Sequence, residues 1–154
     1  MATVRVQRDD FDAGREAAAL AGGRRGVGAV TSFVGYCRDE GGTLAALELE
    51  HYPGMAEAEM ARVAAEAEAR WPLLGVTVVH RYGRIEPGEQ IVLIAVASAH
   101  RGEAFAAAEM LMDYLKTRAP FWKRAIRADG TVEGWVDAKE TDDALAARWE
   151  AAGR

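Results

Sequence analysis

The chain is poor in the residues that most often announce a chemistry. Its 154 residues include one cysteine, Cys37, and four prolines. A single thiol excludes an internal disulfide framework and any paired-cysteine redox or zinc motif. The three histidines, His51, His80 and His100, lack the HxH and HExxH spacings of short metal-binding segments. Neither a metal nor a resident cofactor is therefore expected. The glycine fingerprints GxGxxG and the P-loop are missing, as is the GxSxG elbow of serine hydrolases. No apolar run reaches the ~18 residues of a membrane-spanning helix. The opening "MATVRVQRDDF" has no signal-peptide core. These absences predict a cytoplasmic chain with no membrane partner. The formal net charge of -5 and a pI near 5.3 argue against a general nucleic-acid binder, whose affinity comes from neutralising phosphates.

What is present suits one globular domain spanning residues 1–154: half the residues are hydrophobic and 28% are charged. "TVRVQ" alternates as a short strand, and "DAGREAAALAGG" reads as a helix stopped by glycines. "VGAVTSFVGYC" and "LAALELEHY", separated by the "DEGG" turn, are strands. Pro53 and Gly54 break the chain before a helix from Met55 to Trp71, with Met60, Val63, Ala64 and Ala67 near a 3.6-residue period. "GVTVVHRYG" and "QIVLIAVASAH" are the clearest strands. A second long helix runs from Arg101 to about Lys116, with Phe105, Ala108, Met112 and Leu115 on its expected apolar face. Pro120 ends it. "FWKRAIR" is extended, "ADG" turns, "TVEGWV" is expected to pair back, and a terminal helix covers Asp142 to Ala152. Strands and helices mix without regular alternation, which favours an α+β class over a doubly wound sheet.

One stretch breaks the acidic character. From Tyr114 to Arg127 the chain carries Lys116, Arg118, Lys123, Arg124 and Arg127, interleaved with Tyr114, Phe121 and Trp122, and no acid. A solvated basic strand is the plain reading. An anion site is the alternative, favoured because unpaired positive charge repels itself until something negative arrives. "SAHR", Ser98 to Arg101, joins the clearest strand to the long helix, where free backbone N–H groups and the helix dipole favour anions. Its plain reading is a capping turn with an incidental histidine. At 1.5 Å per residue, positions 100 and 116 lie about 24 Å apart along that helix. A small ligand cannot touch both ends, so either there are two sites or one site is built from two copies. Cys37 beside Arg38 reads as a small core residue, with an activated nucleophile as the alternative.

The blocks "GAVTSFVGYCR", "LELEHYPGM", "RWPL", "VTVVHRYGRIEPGE", "SAHR", "MDYLKTRAPFWKR" and "GWVDAKETD" resemble, in order, the large catalytic subunit of molybdopterin synthase. The resemblance implies an α/β-hammerhead type fold with a mixed or antiparallel sheet and two longer helices. It implies a homodimer that binds a small ubiquitin-like sulfur-carrier subunit at each end, giving a heterotetramer. The carrier's C-terminal Gly-Gly thiocarboxylate would enter a pocket and deliver sulfur to cyclic pyranopterin monophosphate, making molybdopterin. By the same resemblance, Lys116 and Lys123 are catalytic lysines, and Arg124 and Ala125 follow them at the substrate site. Ala125 stands where the family usually has glutamate, and Lys139 where arginine is common. Tyr36, Cys37 and Arg38 match a second binding segment. His100 and Arg101 match the pair on the substrate's phosphate side. Two rival readings remain: a non-catalytic module that docks a ubiquitin-like protein, and a single-stranded nucleic-acid groove of basic and aromatic side chains.

Overall fold

The two most continuous apolar runs become the central strands. The computed structural model describes residues 2–136 and 140–152. In chain order the elements are β1 (Ala2–Gln7), α1 (Ala13–Ala21), β2 (Ala29–Tyr36), β3 (Leu44–His51), α2 (Met55–Arg70), β4 (Leu73–Arg81), β5 (Gly83–Ile85), β6 (Gln90–Ser98), α3 (Arg101–Arg118), β7 (Phe121–Arg127) and α4 (Glu140–Ala152). A four-stranded sheet has the order β1-β4-β6-β2, with β1 parallel to β4 and the other pairs antiparallel. β4 and β6 occupy its middle and read as near-continuous apolar runs because both faces are covered. Val76, Val78, Ile94 and Val96 meet α2 and α3 on one face. Val79, Leu93 and Ala95 meet Phe11 and Leu20 on the other.

A second sheet, β5-β3-β7, is antiparallel throughout. Register places Glu48 opposite Arg124, Leu49 opposite Lys123 and His51 opposite Phe121. The expected α+β class, with mixed and antiparallel strands and two longer helices of 16 and 18 residues, is the one observed.

Local chemistry sets the helix ends. Asp12 caps α1 by accepting from the Arg15 N–H, and Gly22 closes it in the left-handed conformation at φ 55°. At the start of α2 the Glu57 carboxylate accepts from the Gly54 N–H at 2.9 Å. α3 ends at Arg118, with Ala119 extended ahead of Pro120.

One expectation needs correction. Phe105 is 62% exposed, so it is not on the buried face of α3. That face is Ala104, Ala107, Ala108, Leu111 and Leu115, with Met110 and Tyr114 beside it. The alanines let the helix sit close to the sheet but weigh little in a pattern that looks for large side chains. "TVEGWV" pairs back on β7 as expected, through the antiparallel bridges Lys123–Val136 and Ile126–Val132, without forming a continuous strand. The three-residue β5 was not expected, being too short to show a period.

Candidate active site

Two elements carry the lysines to one place. Lys116 lies in the last turn of α3, where a cation suits the helix dipole. Lys123 lies on β7, whose return past Pro120 brings it back across α3's end. Two adjoining hollows share Tyr36, Leu47, Ile91, Lys116, Lys123 and Val136 as a common rim. The inner one is about 160 Å³, walled by Phe33, Leu49, Met112, Leu115 and Phe121, with His80 also on its wall. The outer groove is about 710 Å³ and is edged by Arg38, Arg124, Ala125, Arg127 and Glu133. A polar groove thus narrows past two lysines into an apolar recess.

β2 opens this recess through a local irregularity. Its pairing with β6 shifts register between Gly35 and Tyr36. A Cβ at Gly35 would stand 2.7 Å from Val92 Cγ1, so only glycine lets these strands approach there.

The basic stretch is not the unpaired run that its sequence suggests. Arg118 binds Glu66 at 2.7 Å and Glu150 at 2.8 Å, and lies 3.9 Å over the Tyr114 ring. Arg124 donates to Glu48 at 2.6 Å and covers Trp135 at 4.3 Å. Arg127 donates to Glu133 at 2.8 Å. Three of these acids come from α2, α4 and β3, far away in sequence, and Glu133 comes from the segment just after β7. Lys116 differs: it is exposed at the rim and forms no hydrogen bond or salt bridge among the described residues. Pairing thus separates the three arginines from Lys116, while Lys116 and Lys123 share the rim and Arg38, Arg124 and Arg127 edge the groove.

The other expected site residues are distributed unevenly. Tyr36 is 57% exposed and lines both hollows. Arg38 faces the groove and pairs with Glu40 at 3.2 Å. The Ala125 carbonyl accepts from the Glu133 N–H at 2.9 Å. Cys37 is only 2% exposed, packs with Leu49 and Ile85, and lines neither hollow. Burial pushes its thiol pKa up, and Glu89 and Asp39 add to the rise. Its position therefore suits packing, since the thiolate is disfavoured. His100 and Arg101 are exposed at the opposite end of α3 and line neither hollow. His100 is the N-cap residue, but its side chain caps nothing. Lys139 lies outside the described residues.

Sequence reasoning missed His80, Met112, Phe121 and Glu133 as site neighbours. His80 did leave a signal, being a polar residue inside the otherwise apolar run "VTVVH". Glu133 left none, because its place depends on the path after β7.

Comparison with known proteins now decides the family. The family described as MoaE protein matches residues 6–118. The chain belongs to the MoaE family. A relative in Mesorhizobium japonicum, named molybdopterin synthase catalytic subunit, is 66% identical over 148 residues, covering 96% of this chain and 93% of that one. The molybdopterin biosynthesis MoaE protein of Burkholderia ambifaria has a TM-score of 0.84 at 53% identity, covering 97% of this chain and 99% of that one. The molybdopterin synthase of Staphylococcus aureus has a TM-score of 0.76 at 31% identity, covering 84% of this chain and 95% of that one. The MoaE assignment agrees with the resemblance drawn from the motifs. Among the described residues of this MoaE chain, no helix is long and apolar enough to cross a membrane.

Proposed function

We propose that this chain is the catalytic subunit of a molybdopterin synthase, a sulfurtransferase that moves sulfur from a carrier's thiocarboxylate to cyclic pyranopterin monophosphate. The observation that carries the reading is the convergence of Lys116 and Lys123 on the rim of a narrow recess. An extended Gly-Gly tail has no side chains, so it fits where bulkier chain would not. Its anionic end would meet the two lysines as it leaves water. In a recess walled by Phe33, Leu49, Met112 and Phe121 those charges act at reduced screening, which strengthens their hold on developing negative charge. Lys116, with no competing acid among the described residues, stabilises the thiocarboxylate carbon or moves a proton as sulfur leaves. Lys123 holds the substrate's anionic groups from β7, with Arg124, anchored by Glu48, beside it at the groove's edge, and Tyr36 and Arg38 do so from the opposite edge.

The partner is a small ubiquitin-like sulfur-carrier subunit. The name catalytic subunit borne by the relatives supports the existence of a second subunit. The assembly is a homodimer of this chain with a carrier at each end. His100 and Arg101, about 24 Å from Lys116 along α3, complete the neighbouring protomer's site and take the phosphate side of the substrate. The compartment is the cytoplasm, where such a biosynthetic step meets its soluble substrate. The paired arginines weaken the nucleic-acid reading, since Arg118, Arg124 and Arg127 already have protein acids. The test is conversion of the cyclic phosphate to molybdopterin by the chain with thiocarboxylated carrier. Carrier binding without sulfur loss would instead support the docking module.

A further inference from the structure

One wall of the inner recess carries a polar group that the proposed mechanism leaves unused. His80 Nδ1 lies 2.8 Å from the carbonyl oxygen of Arg81. A carbonyl only accepts, so Nδ1 carries the proton and Nε2 keeps a bare lone pair. The ring is fixed on two sides. It stacks on Phe121 with centroids 3.8 Å apart at 16°, and Phe121 in turn stacks against His51. The backbone at Arg81 is anchored because its buried guanidinium donates to the Gln90 carbonyl at 2.7 Å and the Arg8 carbonyl at 3.1 Å. Nε2 has no partner among the described residues. It is also not one of the buried unpartnered atoms, which include Nδ1 of His51. With Nδ1 engaged, Nε2 is the ring nitrogen left for an occupant of the recess that His80 lines.

The polar groups around the recess are of opposite kinds. Lys116 and Lys123 donate. His80, at its free atom, accepts. Burial lowers the His80 pKa to about 4, against the backbone hydrogen bond, with the charge of Lys116 adding to the fall. The ring is neutral near pH 7, so it remains an acceptor. A ligand matching both kinds has an anionic end and, a short way behind it, N–H donors. The C-terminus of an extended peptide has both. Its amides lose water as they enter an apolar recess, and an N–H left unpaired there is costly.

We propose that His80 is a positioning residue whose Nε2 accepts a hydrogen bond from a backbone N–H of the carrier's Gly-Gly tail, setting how deep the terminal carbon sits. This rests on the carrier reading above. His80 itself takes no part in the chemistry, so its loss weakens carrier binding and raises KM for carrier more than it lowers kcat.

The test uses the full chain and semisynthetic carrier ending in Gly-Gly carboxylate, with either glycine replaced in turn by sarcosine, which lacks the N–H. One of the two sarcosine carriers should bind wild type about tenfold more weakly, the scale of one lost buried hydrogen bond. His80→Phe, which keeps the stacking but has no acceptor, should bind the unmodified carrier about tenfold more weakly. It should then show almost no further loss with that sarcosine carrier. His80→Gln should recover most of the affinity. A purely steric effect of the added methyl would persist in His80→Phe. Equal sarcosine losses in wild type and His80→Phe therefore overturn the proposal. If His80→Phe does not fold, the ¹⁵N resonance of Nε2 in wild type answers the same question. It should move towards the hydrogen-bonded position on adding unmodified carrier and stay in place with the decisive sarcosine carrier; no movement with either overturns the proposal. If unmodified carrier does not bind wild type at all, the carrier reading fails and this proposal falls with it.

Discussion

The two ends of α3 carry similar charge and have opposite surroundings. At the C-terminal end, Lys116 sits on the rim of a formed recess with Lys123 across from it and Leu115 packed below. At the N-terminal end, His100 and Arg101 stand exposed and line no hollow. At the first end a single chain forms the walls of the recess. The second offers donors and a helix dipole but no walls. Basic residues alone do not make an anion site. What distinguishes Lys116 from Arg118, two positions later, is that the arginine already has Glu66 and Glu150.

The sharpest way to break this comparison is at the formed end. Lys116→Ala should lower turnover about 10² or more, the usual consequence of losing a charge-stabilising donor. Carrier affinity should change little, because most of the interface lies elsewhere; turnover within a few-fold of wild type would remove Lys116 from the chemistry. At the open end, Arg101→Ala should raise KM for the cyclic phosphate about tenfold, the scale of one charged hydrogen bond. A larger rise in KM for carrier than for the phosphate substrate would place Arg101 at the wrong ligand.

Acid titration sharpens the comparison further. His80 is held neutral down to about pH 4, whereas an unfolded histidine titrates near 6.5. Between these values the unfolded chain binds more protons, so His80 makes the fold less stable as pH falls from 6.5 towards 4. The stability of wild type relative to His80→Phe should fall over that window and stay level above pH 7. Cys37→Ser should have the smallest effect on activity, keeping sulfur transfer within a few-fold while costing about 1–3 kcal/mol of stability for the buried hydroxyl. Complete loss of transfer in a folded Cys37→Ser chain would show that the protein uses its own sulfur.

Much of this architecture was legible because periodicity reports burial. The runs "VTVV" and "IVLIAVAS" announced the two central strands, and Gly22, Pro53 and Pro120 marked real boundaries. The buried face of α3 was misplaced because it is made of alanines, whose small side chains hardly register beside Phe105. The site was legible as a short basic block, Lys116 to Arg127, but not in its electrostatics. Glu48, Glu66 and Glu150 reach the arginines only through pairing and packing that no local window contains, and Glu133 reaches Arg127 because the chain turns back after β7. His80 was overlooked although it interrupts an apolar run, because a single histidine has no ligand spacing to mark it as functional.

The central claim is that the two ends of α3 serve one site contributed by two chains. Inactive Lys116→Ala chains are mixed in equal amount with inactive Arg101→Ala,His100→Ala chains under conditions where exchange of subunits is independently shown. Each heterodimer then holds one site with both defects and one with neither. About half the dimers in a random mixture are heterodimers, so activity should recover to roughly a quarter of wild type. A mixture that exchanges its subunits and remains inactive would contradict the account, because it would mean that each chain builds its site alone.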